Sequence, residues 1–346
     1  MDAEPCRIRP DMKSRIYFLA LSLVVLLIGC MPAASPATAP RLTLKVVYGT
    51  LNPDVLPGWV AKDAGFFEKN GLDVEFLYVD GGLKSTQALL SKDAAFGMYA
   101  TSTPINANAA GSDFVFIAGV INTLPYNIVA VPDIKTGADL KGKKFAVASL
   151  SGGTYTAMRI GLRQLYGLDP AKDVTPVLIG TDATRENALV LKQVDAAMLH
   201  GATADIAKRD GLVILDSMWD KGIEYQFTTV TVSKAYLNEH PGAGERFLKS
   251  IIQATGYIKD PANKTAVIKS LSKYLKQDDV ATLESGYKLM SQTFLRCTPY
   301  VSIAGLKPII AESKPAVEKG ITPEQMTDNS IVKSLEDSGF IKTNCK

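Results

Sequence analysis

Short apolar runs alternate with helix-period stretches along most of this chain. Leu42–Tyr48, Leu72–Val79, Ala94–Met98 and Phe114–Val120 each read as a short buried strand. Between them lie helical segments at Trp59–Ala64, Phe66–Asn70, from Gly81-Gly82 to about Ser91, and Thr101–Ala110. Gly65 and Gly71 stop the first two, as glycine does just beyond a helix end. The rhythm then repeats. Strands are predicted at Lys144–Ala148, Thr175–Ile179, Ala196–Leu199, Leu212–Leu215 and Phe227–Val232, and helices at Gly153–Tyr166, Ala183–Lys192 and Ala202–Arg209. After Val232 the pattern is helical: Ala243–Lys259, Ala262–Leu275 and Asp278–Thr293. Alternating strands and helices argue an α/β sheet architecture. One internal echo supports two related halves: Gln87-Ala-Leu-Leu-Ser-Lys runs into Asp93-Ala-Ala-Phe, and Asn187-Ala-Leu-Val-Leu-Lys-Gln-Val runs into Asp195-Ala-Ala-Met.

The chain start has a different pattern. Lys13 and Arg15 precede an apolar run from Ile16 to Ile28, followed by Gly29 and Cys30. A basic stretch, a short apolar stretch and small residues at a cut site mark a secretory signal. Leu27-Ile28-Gly29-Cys30 resembles a bacterial lipobox, which makes Cys30 the lipidated first residue of the mature chain. The alternative, a spanning helix, needs ~20 apolar residues, more than this run supplies. Residues 1–29 are thus expected to be a leader with an upstream extension, and Met12 competes with Met1 as the true start. Residues 30–41 follow as a Pro/Ala tether, too poor in large apolar residues to build a core.

Composition narrows the partners. The 346 residues carry 38 Lys plus Arg against 35 Asp plus Glu, a near balance that points to no nucleic acid. Cys297 and Cys345 remain once Cys6 and Cys30 are set aside. They either form a disulfide or are two unrelated thiols. The two histidines, His200 and His240, and the cysteines have no metal-site spacing, so neither metal nor cofactor is expected.

In α/β sheets a ligand sits beyond the carboxyl ends of the strands, against helix N-termini. Three segments have that form: Tyr78 to Gly82, Tyr99 to Thr103, and Ala148 to Thr154. Gly82, Gly152 and Gly153 allow close approach, while Thr101, Ser102, Thr103, Ser151 and Thr154 add hydroxyls. The plain reading of the same residues is helix caps and turns. Tyr48, Trp59, Tyr99, Tyr126, Tyr155 and Tyr225 lie near strand ends and are available to wall a pocket. Asn52, Asn127, Arg185 and His200 are further candidates. Arg185 reads equally as a lobe-stabilising charge, and His200 as a satisfied structural histidine. No nucleophile elbow, Walker loop, dinucleotide fingerprint or HExxH occurs.

Three segments carry a family resemblance: Trp59-Val-Ala-Lys-Asp-Ala-Gly-Phe-Phe-Glu-Lys-Asn-Gly-Leu-Asp-Val74, Asp139-Leu-Lys-Gly-Lys-Lys-Phe-Ala-Val147 and Asp195-Ala-Ala-Met198. Over roughly Leu42 to Glu318 the chain resembles extracytoplasmic substrate-binding proteins of ABC importers for sulfonates, nitrate, taurine and thiamine-precursor pyrimidines. That resemblance implies a type II periplasmic-binding-protein fold, with two α/β lobes joined by two crossover strands. Residues 42–132 with 228–346 would form lobe one, and 133–227 lobe two. It implies a monomeric, lipid-anchored receptor outside the cytoplasm. Such a receptor passes a small solute to a permease and its ATPase and acts without turnover. Pyrimidine-forming relatives use active-site histidines and a cysteine-rich motif, neither of which this chain has. An enzyme of pyrimidine or menaquinone synthesis and a tethered solute sensor are the rival readings.

Overall fold

The computed structural model describes residues 41–346. The expected leader, the Cys30 lipid site and nearly all of the tether lie outside the described residues. Ten strands build two sheets of five: β1 (Leu42–Tyr48), β2 (Leu72–Tyr78), β3 (Phe96–Ala100), β4 (Phe114–Ile121), β5 (Tyr126–Ala130), β6 (Lys143–Val147), β7 (Val174–Leu178), β8 (Ala196–His200), β9 (Val213–Ser217) and β10 (Thr228–Ser233). The first sheet has the order β2-β1-β3-β10-β4 and the second β7-β6-β8-β5-β9. The orders correspond position by position. In each, two parallel neighbours flank the leading strand, and the fourth strand runs antiparallel. Pro176 sits in β7 at an edge, where a missing N–H costs no ladder bond.

The internal echo falls on equivalent joints. Helix Gly82–Leu90 leads into β3, and helix Asp182–Val190 into β8. Both joints pass through a lysine in the left-handed region, Lys92 at φ 62° and Lys192 at φ 54°. At both, the chain end folds back on its helix: Ala94 N–H donates to Ala88 O at 3.1 Å, and Gln193 N–H to Ala188 O at 2.9 Å.

The lobe boundary differs from expectation. Tyr126–Ala130, expected in lobe one, is hydrogen-bonded between β8 and β9 in the second sheet. The first crossing therefore runs from Asn122 to Pro125, and the return from Met218 to Phe227. The side chains of this segment are all buried. The helical C-terminal region was expected on lobe one. Helices Ala243–Lys259 and Lys264–Leu275 do pack there, but helix Val280–Lys288 also lies against helix Gly201–Arg209 of the second lobe. Beyond Lys288 the predicted helix widens into a π-helical turn, Leu289–Phe294.

Gln226 pins the two crossings together. Wholly buried, its amide donates to Ile121 O at 3.1 Å and Thr228 O at 3.2 Å, and accepts from Ser302 N–H at 2.7 Å. Its backbone carbonyl accepts from Thr101 Oγ1 at 2.7 Å, and its N–H donates to Gly305 O at 3.0 Å. Cys297 and Cys345 form a disulfide with a Cα separation of 5.4 Å, tying the chain terminus to the segment after the π-helical turn. We expect Gln226→Ala to lower unfolding free energy by about 3 kcal/mol, since it strands several buried partners at once. Urea denaturation measures this.

Candidate functional site

The carboxyl ends of the parallel strands in both sheets face a common cleft, and the two crossings form its floor. Tyr126 begins β5 and Phe227 closes the return crossing; their rings meet edge-on at 5.2 Å. The N-terminus of helix Gly153–Tyr166 comes down on this floor. A Cβ built at Gly153 would lie 3.0 Å from Ala100 Cβ, 3.0 Å from the Phe227 ring and 3.4 Å from the Tyr126 hydroxyl. Glycine is required there because lobe two touches lobe one at that point. Gly82 and Thr103 are similarly close, with a Cβ at Gly82 falling 2.8 Å from Thr103 Oγ1. Gly82, Thr103, Gly153 and Tyr126 thus converge on the cleft from four elements.

Hydroxyls in this region lack partners. Ser102 Oγ and Thr103 Oγ1, in the first turn of helix Ser102–Ala109, are buried without a hydrogen bond. Thr228 Oγ1, beside Ala100 across the ladder, and Tyr225 OH are in the same condition. An unpaired buried polar group costs about 1–3 kcal/mol. Four of them near one cleft form a surface that gains from a polar guest. The Tyr126 hydroxyl stays protonated, its pKa pushed well up by burial and then by Asp54 and Asp182.

A buried charge cluster forms the other wall. His200 ends β8, and its Nδ1 lies 2.7 Å from Asp182 Oδ2, while its backbone N–H donates to the same oxygen at 2.8 Å. Its Nε2 is 3.0 Å from Asp54 Oδ2 of the first lobe, at ion-pair distance but out of line for a hydrogen bond. Arg185 pairs with Asp182 Oδ1 and also donates to the carbonyls of Met198, Ile179 and Gly180. Burial alone would lower the His200 pKa, but Asp182 and Asp54 outweigh it and raise it to about 10. Burial opposes ionisation of Asp182 too, yet His200 and Arg185 hold its pKa well below the carboxylate range.

The other candidates have surroundings of their own. Trp59 is fully buried, stacked on Tyr274 at 5.0 Å and edge-on to Tyr48 at 5.7 Å, so it packs its helix rather than facing a guest. Asn127 accepts from Ser217 Oγ at 2.7 Å within the second sheet. Arg185 has its fork occupied by Asp182 and carbonyls, the stabilising alternative. Thr101 donates its hydroxyl to Gln226 O, whereas Thr154 Oγ1 accepts from Ala148 N–H, a bond that does not use its hydroxyl proton. Ser151 is exposed, Gly152 turns the loop against Ser149, and Asn52 precedes the turn Pro53–Val55 without capping it. Of the other aromatics, Tyr99 hydrogen-bonds Thr86 and Tyr155 lies under Arg159. Asp54, Asp182, Thr228 and Phe227 were missed. An acid inside the apolar stretch Pro53 to Pro57 was the available signal for Asp54. A separate cavity of about 510 Å³ opens at the amino-terminal ends of the first sheet's strands, lined by Leu44, Phe114, Tyr236 and His240 among others. None of the candidate residues lines it.

Two sheets of matching order, joined by paired crossings around a cleft, define a protein of the periplasmic-binding fold. The chain belongs to the family described as "NMT1/THI5 like", whose model matches residues 52–264. A putative aliphatic sulfonates-binding protein of Bacillus subtilis (strain 168) is 24% identical over 331 residues, covering 92% of this chain and 96% of that one. A putative ABC transporter periplasmic binding protein of Brachyspira hyodysenteriae is 22% identical over 323 residues, covering 87% and 88%. The alkanesulfonate-binding protein SsuA from Xanthomonas axonopodis pv. citri, solved with MOPS bound, superposes with a TM-score of 0.66 at 18% identity, covering 86% of this chain and 98% of that one.

The raised His200 pKa has a direct consequence for stability. A pKa raised from 6.5 to about 10 in the folded state gives stability that is fully present below pH 6.5 and lost as pH climbs toward 10. We expect the guanidinium midpoint to fall from pH 6 to pH 9.5, and His200→Gln to flatten that slope while lowering the midpoint at pH 6.

Proposed function

We propose that this chain is the solute-binding component of an ABC import system, tethered outside the cytoplasm by a lipid on Cys30, and that it takes a small sulfonate-type oxoanion. The unpaired hydroxyls of Ser102, Thr103 and Thr228 beside a helix N-terminus carry this reading. Sulfonate oxygens accept hydrogen bonds and spread charge, which suits hydroxyl and backbone N–H donors at the positive end of a helix dipole. The N-terminus of helix Gly153–Tyr166 supplies a second set of donors from the opposite lobe. Tyr126 adds a neutral O–H donor, and Phe227 an apolar surface for the organic part of the solute. Closing the two lobes over the solute exchanges its hydration for these donors and presents one closed shape to a permease.

Thermal-shift measurements with taurine, short alkanesulfonates, nitrate and an aminopyrimidine test the solute class. We expect an alkanesulfonate to raise Tm most, by several degrees at ~100-fold excess over Kd. Ser102→Ala with Thr103→Ala is expected to weaken that binding at least tenfold, about 1.4 kcal/mol, in titration calorimetry. A response confined to the aminopyrimidine would overturn the oxoanion reading. For the anchor, Cys30→Ser is expected to abolish palmitate labelling and release the protein from the membrane fraction. Continued acylation would overturn it.

A further inference from the structure

Several polar pairs cross the cleft, and they differ sharply in environment. On one flank Arg159 and Arg163 of lobe two grip Glu312. On the other, Arg209 meets Asp279 at 3.1 Å and Asp205 accepts from Ser285 at 2.5 Å. Arg163 and Arg209 are roughly half exposed, at 43% and 51%, and exposed pairs contribute only about 0–1 kcal/mol, while Arg159 and Glu312, at 22% and 10%, are more sheltered. The Asp54–His200 pair is different. Both side chains are 5% exposed, and they come from opposite lobes, Asp54 from the turn after β1 and His200 from the end of β8.

The charges around this pair add up only when the lobes meet. Lobe two contributes His200, Asp182 and Arg185, two cations and one anion. Lobe one contributes Asp54. The turn Pro53–Val55, β8 and helix Asp182–Val190 supply these four groups, while β5 and the return crossing add the neutral hydroxyls of Tyr126 and Tyr225. Helix Val280–Lys288 and the π-helical turn present Gly286, Leu289, Met290 and Phe294, which carry no charge, and with Pro53, Pro125 and Gly201 they line a small pocket of about 10 Å³ beside Asp54 and His200. In this confined setting an unpaired charge is costlier than a paired one, because pairing offsets part of the desolvation of each ion.

We propose that Asp54 and His200 form a closure latch: a buried interlobe ion pair that neutralises the lobe-two cluster and holds the closed arrangement even without solute. The proposal rests on the two-lobed receptor reading and adds a device that sets its open–closed balance. Asp182 is the positioning residue. It fixes the imidazole from inside lobe two, through Nδ1 and the backbone N–H, leaving Nε2 at ion-pair distance, 3.0 Å, from Asp54. With the latch made, the solute binds a conformation already populated. With it broken, part of the binding energy goes into closing the lobes.

The test needs no solute. Spin labels at Lys84→Cys in lobe one and Lys172→Cys in lobe two, both exposed, report the interlobe distance in the full chain. Asp54→Asn is expected to raise the long-distance fraction at least threefold at pH 7 and to lower the titration midpoint of His200 followed by NMR. Asp54→Glu is expected to restore both. Asp182→Asn acts within lobe two, so it is expected to lower the His200 midpoint further. An unchanged distance distribution in Asp54→Asn overturns the latch, as does a fall in Tm without opening. Either result leaves the solute thermal shifts standing, so failure of the latch is distinguishable from failure of the receptor reading.

Discussion

The antiparallel strand of each sheet is contributed by a segment that has just crossed from the other. β5 follows directly on β4 of the first sheet, and β10 on β9 of the second. Neither sheet is complete until the chain has crossed twice, so the lobes cannot form as independent beads. The two crossings lie side by side, and Gln226 satisfies both with one side chain. That amide is fully paired in a buried site, where an unmade bond is costly. It joins Ile121 before the first crossing to Thr228 after the second, and it draws in Ser302 from the C-terminal helices. The floor of the cleft is therefore its most rigid part, and relative motion of the lobes must be taken up beside it.

A rigid floor explains why four buried hydroxyls near it lack partners. Ser102, Thr103, Thr228 and Tyr225 all lie within a few residues of Gln226 or of its partner Thr101. Their backbones are held by the ladder and the crossings, so the hydroxyls cannot relax toward one another. The same rigidity brings Gly153 against Ala100, Phe227 and Tyr126. The cleft thus keeps donors in position and without partners, at a cost of a few kcal/mol that a bound oxoanion would offset.

Much of the architecture was legible because strand and helix periods are local signals. β1, β2, β6 and helix Gly153–Tyr166 lie within a residue or so of their predicted positions. The echo at Asp93 and Asp195 was equally readable, because a helix that ends in a left-handed residue and enters a buried strand leaves a short, repeated signature. β5 was lost because its five residues, all buried, pair with β8 and β9 far along the chain. At the site, glycine and hydroxyl loops could be found from their position before helices. Which hydroxyls remain free could not, since Thr101 donates to Gln226 O, a backbone partner that only the fold brings near. Trp59 was misplaced for the same reason: Tyr274, which stacks on it, lies far along the chain.

The matching strand orders also explain the charge cluster. In the first sheet β3 ends at Ala100 and leads into hydroxyls; in the second, the equivalent β8 ends at His200 and leads into Gly201. The two lobes thus present different chemistry from equivalent positions. One offers neutral donors, the other an imidazolium braced by Asp182 and Arg185. If both faces carried the same charge, closure would bring like charges together in a dry space. Asp54, from the loop after β1, meets the charged face instead. That division of labour keeps the charges of the cluster in balance where the two lobes meet.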